Sequence, residues 1–203
     1  MVQIKTVLFD LGNVLAYINF DEFWCSLGFL RPEEIALFAD GYKLWTHQYE
    51  IGLVSTNEYL TGLRSVFGHR FNFDQLEQAF ANIIWEPVDG MRDIVRRVSR
   101  THRTALVSNT NEIHYKISLE KFDVLGVLHK HYLSYQMHIM KPALGFYAAI
   151  IKDQKIDPSE MLLIDDLITN VEGAQAAGMQ AIKFESPAQL EETLITLGVL
   201  ELY

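Results

Sequence analysis

The sequence predicts an α/β protein built on a mostly parallel sheet, with helices on both faces and a helical segment inserted after the first strand. Three observations carry this. Runs rich in β-branched and apolar residues recur at 4–9, 104–108, 132–134, 161–165 and 180–184. Helix-like stretches separate the last four, the alternation that produces right-handed βαβ crossovers. The long interval between the first two runs, residues 19–86, holds several helical patterns and no convincing strand.

The first run, Ile4-Lys5-Thr6-Val7-Leu8-Phe9, ends at Asp10, which opens the turn Asp10-Leu11-Gly12-Asn13-Val14-Leu15. A carboxylate at the point where a buried strand gives way to a glycine-containing loop meets the crevice beyond the strand ends, where it serves as a nucleophile or a metal ligand. Taken alone, the turn equally suits an aspartate bonded to its own backbone before a helix. In the insertion, Pro32 with Glu33 and Glu34 starts a helix that Gly41 can stop, and Ser55-Thr56-Asn57-Glu58 forms a capping box. Leaving the scaffold just after the Asp10 turn, the insertion is placed to fold over the site as a lid. A bundle serving only stability or dimerisation is the alternative. Tryptophans 24, 45 and 85 fall in this interval, where helix packing accounts for them.

The run at 104–108 ends in Ser108-Asn109-Thr110-Asn111, hydroxyl and amide groups suited to phosphate oxygens together with backbone amides at the next helix start. The same residues also make an ordinary helix N-cap. Met140-Lys141-Pro142 puts an ammonium just before a helix-initiating proline, where it can neutralise a bound phosphate and a nucleophile together. Met161-Leu162-Leu163-Ile164 leads into two adjacent carboxylates, Asp165 and Asp166. Paired carboxylates at a buried strand tip repel unless a cation compensates them, and Mg²⁺ bound through oxygen does so. Ser186-Pro187-Ala188-Gln189 forms a capping box before a last helical run ending at Gly198.

Composition narrows the rest. The 203 residues suffice for one domain with an insertion or for two small ones, with 49% hydrophobic and 21% charged residues. A formal net charge of −9 argues against nucleic acid as a partner. No apolar stretch approaches the roughly 18 residues of a membrane span, and the N-terminus lacks a signal peptide's basic flank and cleavage site, so a cytoplasmic protein is expected. The single Cys25 excludes an intramolecular disulfide and reads as a small hydrophobe in a helix. The seven histidines show no ligand spacing: His129 and His131 would point to opposite sides of an extended segment.

In order, Phe9-Asp10-Leu11-Gly12-Asn13-Val14, Leu106-Val107-Ser108-Asn109-Thr110-Asn111, Lys141-Pro142, and Asp165-Asp166 with Asn170-Val171-Glu172-Gly173-Ala174 resemble the haloacid dehalogenase superfamily of aspartate-nucleophile phosphatases. Within it they are similar to the small bacterial group that includes an α-glucose-1-phosphate phosphatase, as is the segment 48–55. The resemblance implies a Rossmann-like core over 1–18 and 87–203 with a helical cap over 19–86. It implies that Asp10 attacks phosphorus, that Mg²⁺ bridges Asp10 and the Asp165-Asp166 pair, and that Ser108, Asn109 and Lys141 hold the phosphate. The activity expected is hydrolysis of a small phosphorylated metabolite, a sugar phosphate among the candidates, through an aspartyl-phosphate, by a monomer or homodimer.

One position departs from the superfamily's pattern. Its phosphatases usually carry a second aspartate two residues after the nucleophile, as general acid and base, and here that residue is Gly12. Loss of such a group costs about 10²–10⁴ in rate. Gly12 can still offer its backbone carbonyl to Mg²⁺. A 2-haloacid dehalogenase would not miss the aspartate, because halide leaves without a proton; the Asp165-Asp166 pair and the absence of an aromatic-Gly-Thr after the nucleophile speak against it. A non-catalytic phospholigand-binding protein is the third possibility, disfavoured by the joint retention of Asp10, Lys141 and Asp165.

Overall fold

The computed structural model describes residues 2–201. Strand β1 (Thr6–Phe9) is buried along its whole length, as a strand covered on both faces must be. Its side chains alternate between two cores, Val7 and Phe9 entering one and Leu8 the other. The antiparallel pair β2 (Ala16–Ile18) and β3 (Ile84–Pro87) forms a separate short ribbon. Strands β4 (Arg103–Ser108) and β6 (Met161–Asp165) flank β1 in parallel, so that Phe9 lies opposite Leu106 on one side and Ile164 on the other. With β5 (Lys130–Leu133) outside β4 and β7 (Gln180–Lys183) outside β6, the sheet order is β5-β4-β1-β6-β7. The chain runs outward from β1 through β4 to β5 and returns on the other side at β6. The strand order therefore reverses at β1, and the crevice at the carboxyl ends of β1, β4 and β6 is where such a sheet binds ligands.

Between β2 and β3 run helices α1 (Asp21–Ser26), α2 (Pro32–Ala36), α3 (Ala39–Glu50), α4 (Thr56–Val66) and α5 (Phe73–Ala81). They enclose an aromatic core of their own, with Phe23, Tyr49, Tyr59, Phe67 and Phe80 fully buried. The capping box at Ser55 is complete, and Asn72 with Gln75 forms a second one on α5. In the rest of the chain, α6 (Met91–Val98) precedes β4, α7 (Glu112–Lys121) follows it, and the single turn α8 (Ser134–Met137) follows β5. Helices α9 (Leu144–Gln154), α10 (Ile168–Ala176) and α11 (Pro187–Thr196) complete the fold. Side chains of α6 and α11 join Val7 and Phe9 in one core, and those of α9 and α10 join Leu8 in the other. Ser186 caps α11 by accepting the Gln189 N–H, while the Gln189 side chain reaches back to the Glu185 N–H, so the box there is not reciprocal.

Several local expectations are corrected. The interval 19–86 contains part of a strand, because β3 begins at Ile84; four residues ending in proline carry no readable period, and the strand exists through pairing with β2 across the whole insertion. Gly41 does not stop a helix. The helix begun at Pro32 ends at Ala36, and Gly41 lies within α3, where a Cβ would come 2.8 Å from Val66 of α4. Glycine is there for close helix packing, as at Gly62, where Trp45 occupies the space a side chain would need. Cys25 is on a helix but exposed. Trp85 lies on β3, largely in solvent. The strand expected at 132–134 lies earlier, and Ser134 begins α8. Among the described residues no helix is long and apolar enough to cross a membrane.

Candidate active site

Asp10 extends β1 by one rung: its N–H donates to the Ile164 carbonyl at 3.0 Å. The parallel registers on both sides therefore set its carboxylate between the ends of β4 and β6. It is 7% exposed. Lys141, on the loop between α8 and α9, is buried and puts Nζ 2.8 Å from Asp10 Oδ1, 2.6 Å from Asp165 Oδ2 and 2.9 Å from the Val107 carbonyl. An ammonium has three N–H donors, and each has an acceptor here. Burial by itself would depress the Lys141 ammonium; Asp10 and Asp165 together outweigh it and hold the group above its ordinary value. Burial pushes the Asp10 carboxyl up to about 7, against the pull of Lys141 and with Asp165 adding to the rise.

Asp165, fully buried at the tip of β6, commits both oxygens to the protein. Oδ2 takes Lys141, and Oδ1 accepts the Leu167 N–H at 3.0 Å and the Asn170 side-chain amide at 2.9 Å. Asp166 accepts the Asn13 amide on Oδ2 at 3.2 Å; burial raises its carboxyl, and that hydrogen bond moderates the rise. Asn13 adopts the left-handed conformation, φ 52°, that turns the loop after Asp10. Asp10, Asp165 and Asp166 each bring an oxygen within 4.8 Å of the others. Three carboxylates facing one ammonium in a largely buried cleft suit a hard divalent cation with oxygen ligands.

Gly12 sits on the same turn, and a Cβ there would meet Ile18 Cδ1 at 3.0 Å. Ser108 is buried at the end of β4, its hydroxyl turned toward the Asn109 carbonyl at 3.4 Å. The Asn109 side chain grips the Lys141 backbone from both sides, accepting its N–H at 2.8 Å and donating to its carbonyl at 2.9 Å. Thus Asp10, Lys141, Asp165 and Asp166 converge, Ser108 and Asn109 border them, and Asn109's carboxamide orients the lysine. His129 and His131 serve other parts of the fold, at Thr104 and between Tyr115 and the Leu125 carbonyl.

Two further buried polar residues, Ser134 and His114, tie the segment after β4 to the insertion, and neither carries a local motif of its own. Ser134 joins the loop after β4 to the end of α3. His114 lies three residues past Asn111, which caps α7 by accepting the His114 N–H at 3.0 Å. Its ring stacks on Phe80 of α5 with centroids 4.1 Å apart. The cap signature Asn111-x-x-His114 was legible; the burial of the ring against the insertion was not.

The chain matches a family described as haloacid dehalogenase-like hydrolase over residues 4–178. It is 25% identical over 203 residues to a D-ribitol-5-phosphate phosphatase of Bacteroides thetaiotaomicron, covering 96% of this chain and 98% of that protein. It is similar, at 28% identity and a TM-score of 0.80, to a HAD family enzyme of the same organism solved in complex with magnesium and inorganic phosphate, covering 90% of this chain and 95% of that one. An L-2-haloacid dehalogenase from Xanthobacter autotrophicus superposes with a TM-score of 0.62 at 14% identity, over 96% of this chain and 83% of that one, a likeness of fold alone.

Proposed function

Because the chain belongs to the haloacid dehalogenase-like hydrolases, we propose that it is a magnesium-dependent phosphomonoesterase that hydrolyses a small phosphorylated metabolite through an aspartyl-phosphate. The observation that carries this is the Lys141 ammonium, which pins Asp10 Oδ1 at 2.8 Å inside a cluster of three carboxylates. With Oδ1 held, Oδ2 is the oxygen that attacks phosphorus. The new Oδ2–P bond forms as the P–O bond to the leaving alcohol breaks, and water then cleaves the acyl phosphate to return Asp10 and inorganic phosphate. Ser108 and the Asn109 N–H receive the phosphoryl oxygens and the Lys141 ammonium neutralises their charge from its place between Asp10 and Asp165, while the Asn109 side chain keeps Lys141 in position. Asp10, Asp166 and the Gly12 carbonyl would hold Mg²⁺, with Asp165 alongside under the control of Lys141 and Asn170. When bound, the ion neutralises charge on the phosphoryl group and its leaving oxygen. The magnesium and phosphate bound by the 28%-identical neighbour support this assignment.

Gly12 shapes the substrate class. No carboxylate stands at that position to protonate the leaving alcohol or to activate water, so esters of acidic alcohols are favoured. An anomeric hydroxyl is such an alcohol, because the ring oxygen withdraws electron density. The ribitol phosphate in the relative's name is instead a primary alkyl ester, so substrate choice separates the two possibilities. The test is a screen of phosphorylated sugars and polyols with Mg²⁺ and with excess chelator. Hydrolysis that requires Mg²⁺ is expected, with a sugar 1-phosphate favoured over its 6-phosphate isomer by on the order of 10². Full activity in chelator would overturn the metal assignment, and a strong preference for the 6-phosphate would overturn the leaving-group argument.

A further inference from the structure

Ser134 stands where three parts of the molecule meet. Leu133, the last residue of β5, pairs with Ser108 at the end of β4, so the register brings Ser134 alongside the loop that leaves β4. Its side chain is fully buried. The hydroxyl accepts the Thr110 N–H at 2.9 Å and lies 2.9 Å from the Thr110 carbonyl and 2.6 Å from the carbonyl of Glu50, the last residue of α3. A serine hydroxyl has one proton. It donates to Glu50 or to Thr110, and the shorter contact favours Glu50. The turn after α3 is closely docked on α8: Gly52, with φ +67°, sits where a Cβ would fall 2.0 Å from the Tyr135 carbonyl, and His138 Nδ1 is 3.1 Å from the Ile51 carbonyl.

We infer that Ser134 is a positioning residue that couples the docked turn at 50–52 to the loop bearing Ser108 and Asn109, its single proton passing from the Glu50 carbonyl to the Thr110 carbonyl when that turn lifts. The Thr110 N–H keeps its acceptor in both arrangements, so the turn undocks without leaving a buried donor orphaned. In the phosphatase proposal the loop that Ser134 holds carries Ser108 and Asn109, so one hydroxyl serves both the docked turn and the phosphate-binding loop. That consequence rests on the phosphatase proposal; the coupling itself does not.

Two variants separate the two contacts. S134A removes both, whereas G52A, whose new methyl collides with the Tyr135 carbonyl, lifts the turn and leaves the Ser134–Thr110 bond in place. One readout is the exchange rate of the Thr110 amide by NMR. The other is the spin-label distance between native Cys25, the exposed thiol of α1, and a cysteine introduced at exposed Lys152 on α9. S134A should speed Thr110 exchange about 10-fold, the effect of one lost hydrogen bond, and add a longer-distance population. G52A should add the same population with Thr110 exchange at the wild-type rate. The inference is overturned if S134A leaves Thr110 protection or the distances unchanged, if G52A speeds Thr110 exchange as much as S134A does, or if β1 amides accelerate equally and show general destabilisation. Should no phosphate ester be hydrolysed, the phosphatase proposal falls separately, because neither readout uses activity.

Discussion

Acidification from pH 7 to pH 4 should remove a stabilising contribution that resides in His114. Its Nε2 lies 2.8 Å from the Phe80 carbonyl and must donate, so Nδ1 is the unprotonated nitrogen that receives the Asn111 amide at 3.1 Å. The Asn111 orientation is set independently, because its oxygen accepts the His114 N–H. A proton on Nδ1 would face that amide donor in a site 5% exposed. Burial accordingly lowers the imidazole to about 4, with the Phe80 carbonyl opposing the fall. The unfolded chain, near the ordinary 6.5, binds the proton first as pH falls, so stability is lost between 6.5 and 4. At about 1.4 kcal/mol per pH unit the loss reaches roughly 3 kcal/mol, of which about 2 is gone by pH 5. Glu50 and Asp10 act in the opposite sense, since burial raises both carboxyls to about 7 and their protonation favours the folded state as pH falls, and Asp166 is raised as well. Wild-type stability alone therefore mixes these groups with His114. The assay is urea unfolding of wild type and His114→Gln, uncharged at every pH, at several pH values between 7 and 4. The wild-type advantage should shrink by the stated amount, and a difference that stays constant within about 0.5 kcal/mol would refute the buried, neutral assignment.

Asp10→Asn should abolish phosphate-ester turnover and any trapped phosphoenzyme, with a cooperative thermal transition retained, because an amide cannot form the acyl phosphate; hydrolysis at the wild-type rate would remove Asp10 as nucleophile. Lys141→Met leaves Asp10 and Asp165 facing each other without their shared cation, which should cost about 3–5 kcal/mol in chelator by urea unfolding, with part recovered in millimolar Mg²⁺. Equal stability of variant and wild type in chelator would contradict the pairing. Gly12→Asp needs only the far end of Ile18 to shift, and its backbone lies outside the left-handed region. It should cost about 1 kcal/mol and raise activity toward a sugar 6-phosphate; a loss several times larger in a melting experiment would show that the turn has no room for the side chain.

The residues that do the proposed chemistry were legible because local signals mark them. Asp10 and Asp165 end apolar runs, and the alternation of runs and helices brings those strand tips to one edge of a parallel sheet; Lys141 stands out beside Pro142, although that proline lies in a turn ahead of α9 and does not start the helix as the sequence suggests, Ala143 being its N-cap. The complete capping box at Ser55 is likewise a four-residue signal. Chemistry of that kind depends on strand ends and turns, and both are written in contiguous residues. Which partner each polar group has is a different matter. Asn109 grips the backbone of a lysine 32 positions away, Ser134 bonds a carbonyl 84 positions earlier, and His114 donates to a carbonyl 34 positions before it. Gly41 shows the same limit: locally a helix stop, it is made a packing contact by Val66 on another helix. The layered α/β architecture and the converging carboxylates are readable from contiguous residues, because periodicity and strand-end chemistry act over a few positions. The lysine's three acceptors, the β2–β3 ribbon and the seam between the turn at 50–52 and α8 emerge on folding, because a buried hydrogen bond is specified by two segments meeting in space, and neither segment carries the other's address.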